Sequence, residues 1–189
     1  EEGRLFYERF PHWSKMGRMV ADVRWSVDAL LSMEYIDSSK IYVAGYSLGG
    51  TVALYSAALD DRIAGVVSVC GFTPMRTNLQ GKTAEGIYEY SHLHGLIPRL
   101  GFFAGYENRI PYDFDEILGC IAPRPVLVVA PSWDQYADIE DIKQCVNEAG
   151  KVYMLFKSED NPDLIIPEDY NRLSPSVKDK MVSWLKDNK

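Results

Sequence analysis

The sequence predicts an α/β fold in which helices cover both faces of a mostly parallel sheet. Short runs of consecutive apolar residues alternate along the chain with longer segments whose apolar residues recur every three or four positions. The short runs are apolar throughout, which is typical of parallel strands buried on both faces. Residues 1–189 suit a single domain by their length, and no repeat or interdomain linker divides them.

The first part of the sequence predicts a helix, a strand, a second helix and a second strand, in that order. Residues 15–33 carry a helical stripe of apolar side chains, and residues 41–44 predict a short buried strand. A turn of small residues follows, and then an Ala- and Leu-rich helix over 51–59. Residues 64–70 contain three valines and predict a second buried strand.

Residues 72–118 show no clear periodicity and mix glycine, proline and aromatic residues. This stretch is too long for a plain connection between two elements of a compact domain. We therefore expect an insertion after the second strand that resembles a cap and has short helices of its own.

The remainder predicts a strand, a helix, a strand and a helix. Residues 126–130 form a third apolar run. Asp138 can cap the helix that follows, and Gly150 suits its end. Residues 152–156 predict a fourth strand, and Ser174 can cap the last helix.

The turn after the first strand reads Gly45-Tyr46-Ser47-Leu48-Gly49, which fits G-x-S-x-G. This pattern occurs by chance, but here it ends an apolar strand and begins a helix, as a nucleophile elbow does. Ser47 would be strained at the tip, and side chains in place of the two glycines would strike neighbouring backbone. The Leu48 N–H would face a developing oxyanion. The alternative is an ordinary glycine-rich turn.

With this elbow, the chain resembles the α/β-hydrolase fold family over nearly all of its length. The strand before Ser47 matches the family's fifth strand, and the three later strands match its sixth, seventh and eighth. Residues 13–17 and 122–125 most resemble dienelactone-hydrolase-like and acetyl-xylan-esterase-like members. The resemblance implies a serine hydrolase that uses a triad of serine, histidine and an acid.

The resemblance implies that the acid follows the family's seventh strand, where this chain has Asp134. A carboxylate there would orient the catalytic histidine and stabilise its imidazolium form. The alternatives for Asp134 are a solvated loop residue or a cap for the next helix. Asp138 is a second candidate, but an N-cap explains it better.

The family's histidine should follow its eighth strand, but the corresponding loop of this chain contains none. Arg172 lies close to the expected place, and a guanidinium cannot accept a proton near neutral pH. The candidate bases are His94 and His92 in the insertion, with His94 preferred because the adjacent Gly95 leaves room for close approach. Alternatively, both histidines line the pocket or form hydrogen bonds within the insertion.

The sequence predicts about four strands, where the family has about eight. Half a sheet would expose an apolar edge strand. The family also takes its second oxyanion-hole N–H from a part of the fold that precedes this chain. We therefore expect an N-terminal segment that was cleaved, is disordered, or is present as a companion chain.

The composition narrows the classes of partner. A net charge of −7 disfavours a surface for nucleic acid or for an anionic membrane. No apolar run approaches the roughly 18 residues of a membrane span. No spacing of His or Cys predicts a metal site, and no glycine loop predicts a phosphate site, so we expect no metal and no cofactor.

The preferred function is a serine carboxylesterase that hydrolyses small acyl esters through an acyl-enzyme, with a small-molecule ester as substrate. The resemblance extends the substrates to acetylated carbohydrate, by analogy only, because a fold does not determine a substrate. The alternative is a catalytically impaired hydrolase-fold protein that binds a ligand or a partner. Hydrogen-bond reach between Ser47 and His92 or His94 would discriminate between the two.

Overall fold

The computed structural model describes residues 2–77, 86–93 and 95–188. Within these ranges, four strands form one parallel sheet in the order β1-β2-β3-β4. The strands are β1 Tyr42–Tyr46, β2 Gly65–Val69, β3 Val126–Val129 and β4 Asp163–Ile165. The helices are α1 Glu2–Arg9, α2 Lys15–Leu31, α3 Leu48–Leu59, α4 Phe114–Gly119, α5 Ile139–Leu155 and α6 Pro175–Asp187. The predicted parallel sheet is confirmed.

Helices cover both faces of the sheet because successive strand residues point to opposite sides. On one face, Val66 and Val128 belong to the larger core cluster, which includes residues of α2, α3 and α5. On the other face, Val67 and Leu127 cluster with Trp184 of α6. The predicted arrangement of helices on both faces is therefore confirmed.

Side-chain caps define where two of the predicted helices begin. The Asp138 carboxylate accepts a hydrogen bond from the backbone N–H of Glu140 at 2.8 Å, at the start of α5. The Ser174 hydroxyl accepts one from the backbone N–H of Val177 at 3.4 Å, at the start of α6. Both caps agree with the sequence, and the role of Asp138 as a cap explains it without a catalytic function.

The predicted strand over residues 152–156 is wrong, because α5 continues through Gly150 to Leu155. The helix stripe that includes Val146 and Ala149 continues to Tyr153, which is fully buried, and its hydroxyl donates to the Arg124 carbonyl at 3.0 Å. Tertiary burial of this stripe outweighs the weak helix-breaking tendency of one glycine. The fourth strand is instead β4, which is only three residues long.

Residues 72–118 contain short helical segments, apart from the positions outside the described ranges. These segments are a π-helical turn Glu89–Leu93, the 3-10 helices Pro98–Phe103 and Glu107–Arg109, and α4. The buried Asp113 carboxylate joins the two ends of this stretch, since it accepts backbone N–H groups of Met75 at 2.8 Å and Arg76 at 2.7 Å. That this stretch acts as a cap stays a prediction. None of the helices among the described residues has the length and apolar character to cross a membrane.

The helical register at the end of α5 predicts a clear contrast between two substitutions. We expect Tyr153→Ala to lower the free energy of unfolding by about 3 kcal/mol, because it leaves a cavity in the core. Leu155→Ala, at a side chain that is 81% exposed, should change it by less than about 0.5 kcal/mol. Urea denaturation of both variants measures the difference, and equal losses would contradict the helical register.

Candidate active site

Ser47 lies in the sharp turn between β1 and α3 with φ 53° and ψ −125°. Residues with side chains rarely adopt a positive φ, and such strain is typical of functional turns. Hydrogen bonds on both sides hold this conformation. The Ser47 N–H donates to the Val69 carbonyl at 2.8 Å, and the Ser47 carbonyl accepts from the Gly50 N–H at 2.8 Å. The predicted strained conformation of Ser47 is therefore present.

Close approach of the backbone requires glycine at two positions of this turn. Only one of them is among the two that the sequence predicts. A Cβ on Gly45 would fall on the backbone of Gly49, so a side chain is excluded there, as the sequence predicts. A Cβ on Gly49 itself would meet nothing within 4 Å, so the prediction for Gly49 is wrong. The crowded residue is Gly50, whose Cβ would lie 2.8 Å from Ser68 Oγ and 2.9 Å from the Cα of Gly71.

Leu48 is the first residue of α3, and the backbone amides of a first helical turn have no acceptor within the helix. The helix dipole adds partial positive charge at the same end. Ser47 and Leu48 are both exposed, so a substrate can reach this helix end. The arrangement suits an oxyanion next to Ser47, as predicted for the Leu48 N–H.

A cavity of about 360 Å³ opens beside Ser47. Its lining includes Cys70, which follows β2, Asp134, which follows β3, and Asn171, from the loop after β4. Glu89 of the insertion also lines it. Functional groups therefore gather at the carboxyl ends of the strands, where ligands bind in open α/β sheets.

The Asp134 carboxylate is buried at this cavity and held on both of its oxygens. Oδ1 accepts the Tyr136 backbone N–H at 2.9 Å, and Oδ2 accepts Nδ2 of Asn171 at 2.8 Å. The structure therefore brings the predicted acid and Ser47 to the same cavity. The amide that donates to Oδ2 of the acid, however, belongs to an asparagine.

The loops after β3 and β4 run side by side, which explains how Asp134 meets Asn171. The Ser132 N–H donates to the Pro167 carbonyl at 2.9 Å, and the Trp133 N–H donates to the Asp169 carbonyl at 3.0 Å. These backbone bonds fix the register between the two loops. The acid and its amide partner are thus positioned by backbone hydrogen bonds as well as by their own contact.

The two candidate histidines stand differently in the structure. His92 is exposed, its Nδ1 lies 2.6 Å from the Ser91 hydroxyl, and it is absent from the described lining of the cavity beside Ser47. His94 lies outside the described residues, so its role stays a prediction. Of the two histidines, only His92 is described, and it makes no contact with Ser47.

Arg172 does not occupy the place expected for the histidine. Its guanidinium points to Asp169, with Nε 2.7 Å from the carboxylate, and its side chain is 63% exposed. The side chain that meets Asp134 belongs to the preceding residue, Asn171. Asn171 does not stand out in the sequence, because the family pattern calls for a titratable base in this loop and an amide does not titrate.

Cys70 is a second strained residue of the cavity, with φ 49° directly after β2. Burial, followed by the Asp134 carboxylate nearby, raises the pKa of its thiol to about 12. The thiol is therefore protonated at neutral pH and is a poor nucleophile. Its protonated thiol makes Cys70 a poorer candidate for the nucleophile than Ser47, although both residues line the same cavity.

Glu89 is a second residue of the cavity that the sequence does not predict. It lies on the π-helical turn next to Tyr90, whose buried hydroxyl accepts the Thr73 N–H at 3.0 Å. This anchor fixes the turn against the start of the insertion. A carboxylate at the cavity could not be inferred from a stretch without clear periodicity, because the burial of Tyr90 is visible only in the fold.

The fold and site together define a class of protein. A serine at a strained turn from strand to helix, above a parallel sheet covered on both faces, is the arrangement of the α/β-hydrolase serine esterases. Among the described residues, no group of three or more His, Cys, Asp or Glu side chains could hold a metal ion. The predicted class is confirmed.

The particular family follows from the sequence, since the glucuronyl esterase family described from fungi matches residues 1–156. This chain belongs to the glucuronyl esterase family. It is 27% identical over 142 residues to carbohydrate esterase MZ0003 of an unknown prokaryotic organism, covering 70% of this chain and 33% of that protein. It is also 27% identical over 139 residues to the putative hydrolase YtaP of Bacillus subtilis strain 168. That match covers 72% of this chain and 42% of YtaP.

Solved structures agree with this fold. A promiscuous CE15 esterase from a marine bacterial metagenome superposes with a TM-score of 0.81 at 18% identity. The match covers 94% of this chain and 49% of the other. The chain thus spans less than half the length of these curated and structural relatives.

The raised pKa of Cys70 predicts selective labelling of the cysteines. At pH 8, a disulfide reagent such as 5,5′-dithiobis(2-nitrobenzoate) should react quickly with the exposed Cys120 and slowly with Cys70, because only thiolates attack it. Mass spectrometry of labelled peptides measures both rates. A Cys120→Ser control should lose the fast phase, and fast labelling of Cys70 would contradict its raised pKa.

Proposed function

We propose that this chain hydrolyses carboxylic esters of carbohydrates, and that esters of glucuronic acid are its preferred substrates. The single observation that carries this proposal is the strained Ser47 at the mouth of a cavity that also contains a buried carboxylate. The family is described as glucuronyl esterases, and one relative is a carbohydrate esterase. Both descriptions support carbohydrate esters as the substrates. The acyl group would then be a uronoyl group rather than the small acyl group expected from the sequence.

In the proposed mechanism, Ser47 Oγ attacks the ester carbonyl, and the Leu48 N–H stabilises the oxyanion at the start of α3. The alcohol leaves as the acyl-enzyme forms. A water molecule then attacks the acyl-enzyme and releases the sugar acid. Oriented donors that meet the developing charge without reorganisation contribute most of the rate in such sites.

The proposed base is a histidine of the insertion, with His94 as first candidate and His92 as second. Glu89 on the same turn as His92 lines the cavity, which supports the insertion as a source of catalytic groups. Asp134 is the proposed acid, since a buried carboxylate favours an imidazolium within the same cavity.

A second candidate function is ligand binding without catalysis. The contact between Asp134 and Asn171 favours it, because an amide fills the place next to the acid. A protein of this kind would bind a carbohydrate ester in the same cavity and leave it unchanged. Turnover that depends on Ser47 separates the two functions.

Hydrolysis of a benzyl ester of glucuronic acid by the purified chain tests the nucleophile. We expect turnover that falls by about 10³-fold or more in Ser47→Ala, because the covalent route is lost. Hydrolysis of 4-nitrophenyl acetate in parallel tests whether the uronoyl ester is preferred. Equal turnover by Ser47→Ala would contradict the proposal, and no turnover of any ester by the folded chain would favour the binding function.

The assignment of the base predicts that His94→Ala lowers kcat by about 10²-fold or more, because general base catalysis contributes about that much. His92→Ala is the matched variant, since its ring already contacts Ser91. A loss in His92→Ala alone would move the role to His92. Unchanged kcat in both variants would show that neither histidine is the general base.

A further inference from the structure

Asn171 connects two polar side chains of the cavity. Its Nδ2 donates to Asp134 Oδ2 at 2.8 Å. Its Oδ1 accepts the Tyr46 hydroxyl at 2.7 Å, and its backbone carbonyl accepts the same hydroxyl at 3.0 Å. Both hydrogen-bonding ends of the amide are therefore occupied, and the side chain has a single defined orientation in the cavity that Ser47 also lines.

The contact with Asp134 is the one that a base makes in a Ser–His–Asp triad. There, an imidazole donates one N–H to the buried carboxylate and presents its second nitrogen to the serine. Asn171 makes the first of these contacts through Nδ2. Its other polar atom is a carbonyl oxygen, which does not take a proton near neutral pH.

We propose that Asn171 occupies the position of a general base, so that no described residue serves Ser47 as a base on the Asp134 side of the cavity. The wild-type chain must then activate Ser47 from the insertion or bind esters without turnover. This inference rests on the proposed role of Ser47 as nucleophile. It further implies that a histidine at residue 171 completes a working triad with no other change.

The surroundings of Asn171 suit this exchange. In both asparagine and histidine, a nitrogen is bonded directly to Cγ, so Nδ1–H of a histidine can replace the Nδ2–H that Asp134 accepts. Asp134 keeps its orientation through the Tyr136 N–H at 2.9 Å. Tyr46 loses one acceptor but retains the backbone carbonyl at 3.0 Å. No buried polar group is therefore left without a partner by the substitution.

The proton balance of Asn171→His is that of an ordinary acyl transfer. Nε2 of the imidazole takes the Ser47 Oγ proton as the bond from Oγ to the carbonyl carbon forms. It gives that proton to the alcohol oxygen as the bond between carbon and that oxygen breaks. Water then follows the same route, which releases the acid and restores the Ser47 hydroxyl.

Esterase activity of Asn171→His against wild type tests the inference. We expect kcat/KM for benzyl glucuronate to rise by about 10²-fold. Activity should increase with pH through the pKa of the new imidazole, whose neutral form is the base. Within the described part of the chain, the other titratable groups that line the cavity are Tyr46, Cys70, Glu89, Asp134 and Tyr136. Labelling of Ser47 by a fluorophosphonate should accelerate in parallel.

Two controls decide whether the gain comes from a triad. Asn171→His with Asp134→Asn should lose most of the gain, because the imidazole then lacks its carboxylate. Asn171→Gly with added imidazole should recover rate in a saturable way, which wild type should not show. A folded Asn171→His variant without gain, a gain that survives Asp134→Asn, or no rescue by imidazole would each overturn the inference.

These results are separable from those for the proposed function. An inactive wild type with an active Asn171→His variant supports this inference and contradicts the proposed esterase activity of the natural chain. An active wild type that loses its rate in His94→Ala, together with no gain in Asn171→His, supports the proposed function and overturns this inference.

Discussion

The site depends on how closely the backbone after β1 approaches the backbone after β2. Gly50 leaves no room for a Cβ, which would lie 2.9 Å from the Cα of Gly71, and the Thr51 hydroxyl donates to the Gly71 carbonyl. These two contacts pack the start of α3 directly against the end of β2. Ser47 and the amide of Leu48 are thereby fixed together, so the strained serine and the helix end form one rigid unit.

Two residues with positive φ lie at the ends of the neighbouring strands β1 and β2. Each such conformation of a residue with a side chain costs about 1–3 kcal/mol. Ser47 and Cys70 adopt it at 53° and 49°, and both line the same cavity. The Cys70 N–H donates to the Val129 carbonyl at 2.9 Å, which extends the strand pairing as far as the strained residue itself. The buried sheet beneath holds both residues in place.

Local sequence determines what could be predicted. The elbow was predictable because strand, glycines and helix are consecutive, and Ser47 follows from them alone. Residues 152–156 were wrongly assigned because an apolar run after a glycine is also compatible with a buried helix end, and only burial of Tyr153 decides between them. Asn171 and Glu89 could not be found, since their role depends on contacts between loops that are distant in sequence.

The pairing between the loops after β3 and β4 divides the site into two independently held parts. Backbone hydrogen bonds of Ser132 and Trp133 hold Asp134 against Asn171. Glu89 belongs to the other part, which Tyr90 and Thr73 anchor. Exchanges among the described residues of 72–118 can therefore change the shape of the cavity on the Glu89 side while the paired loops keep their geometry. The shape of the cavity and the polar contacts around Asp134 can diverge separately as such a protein evolves.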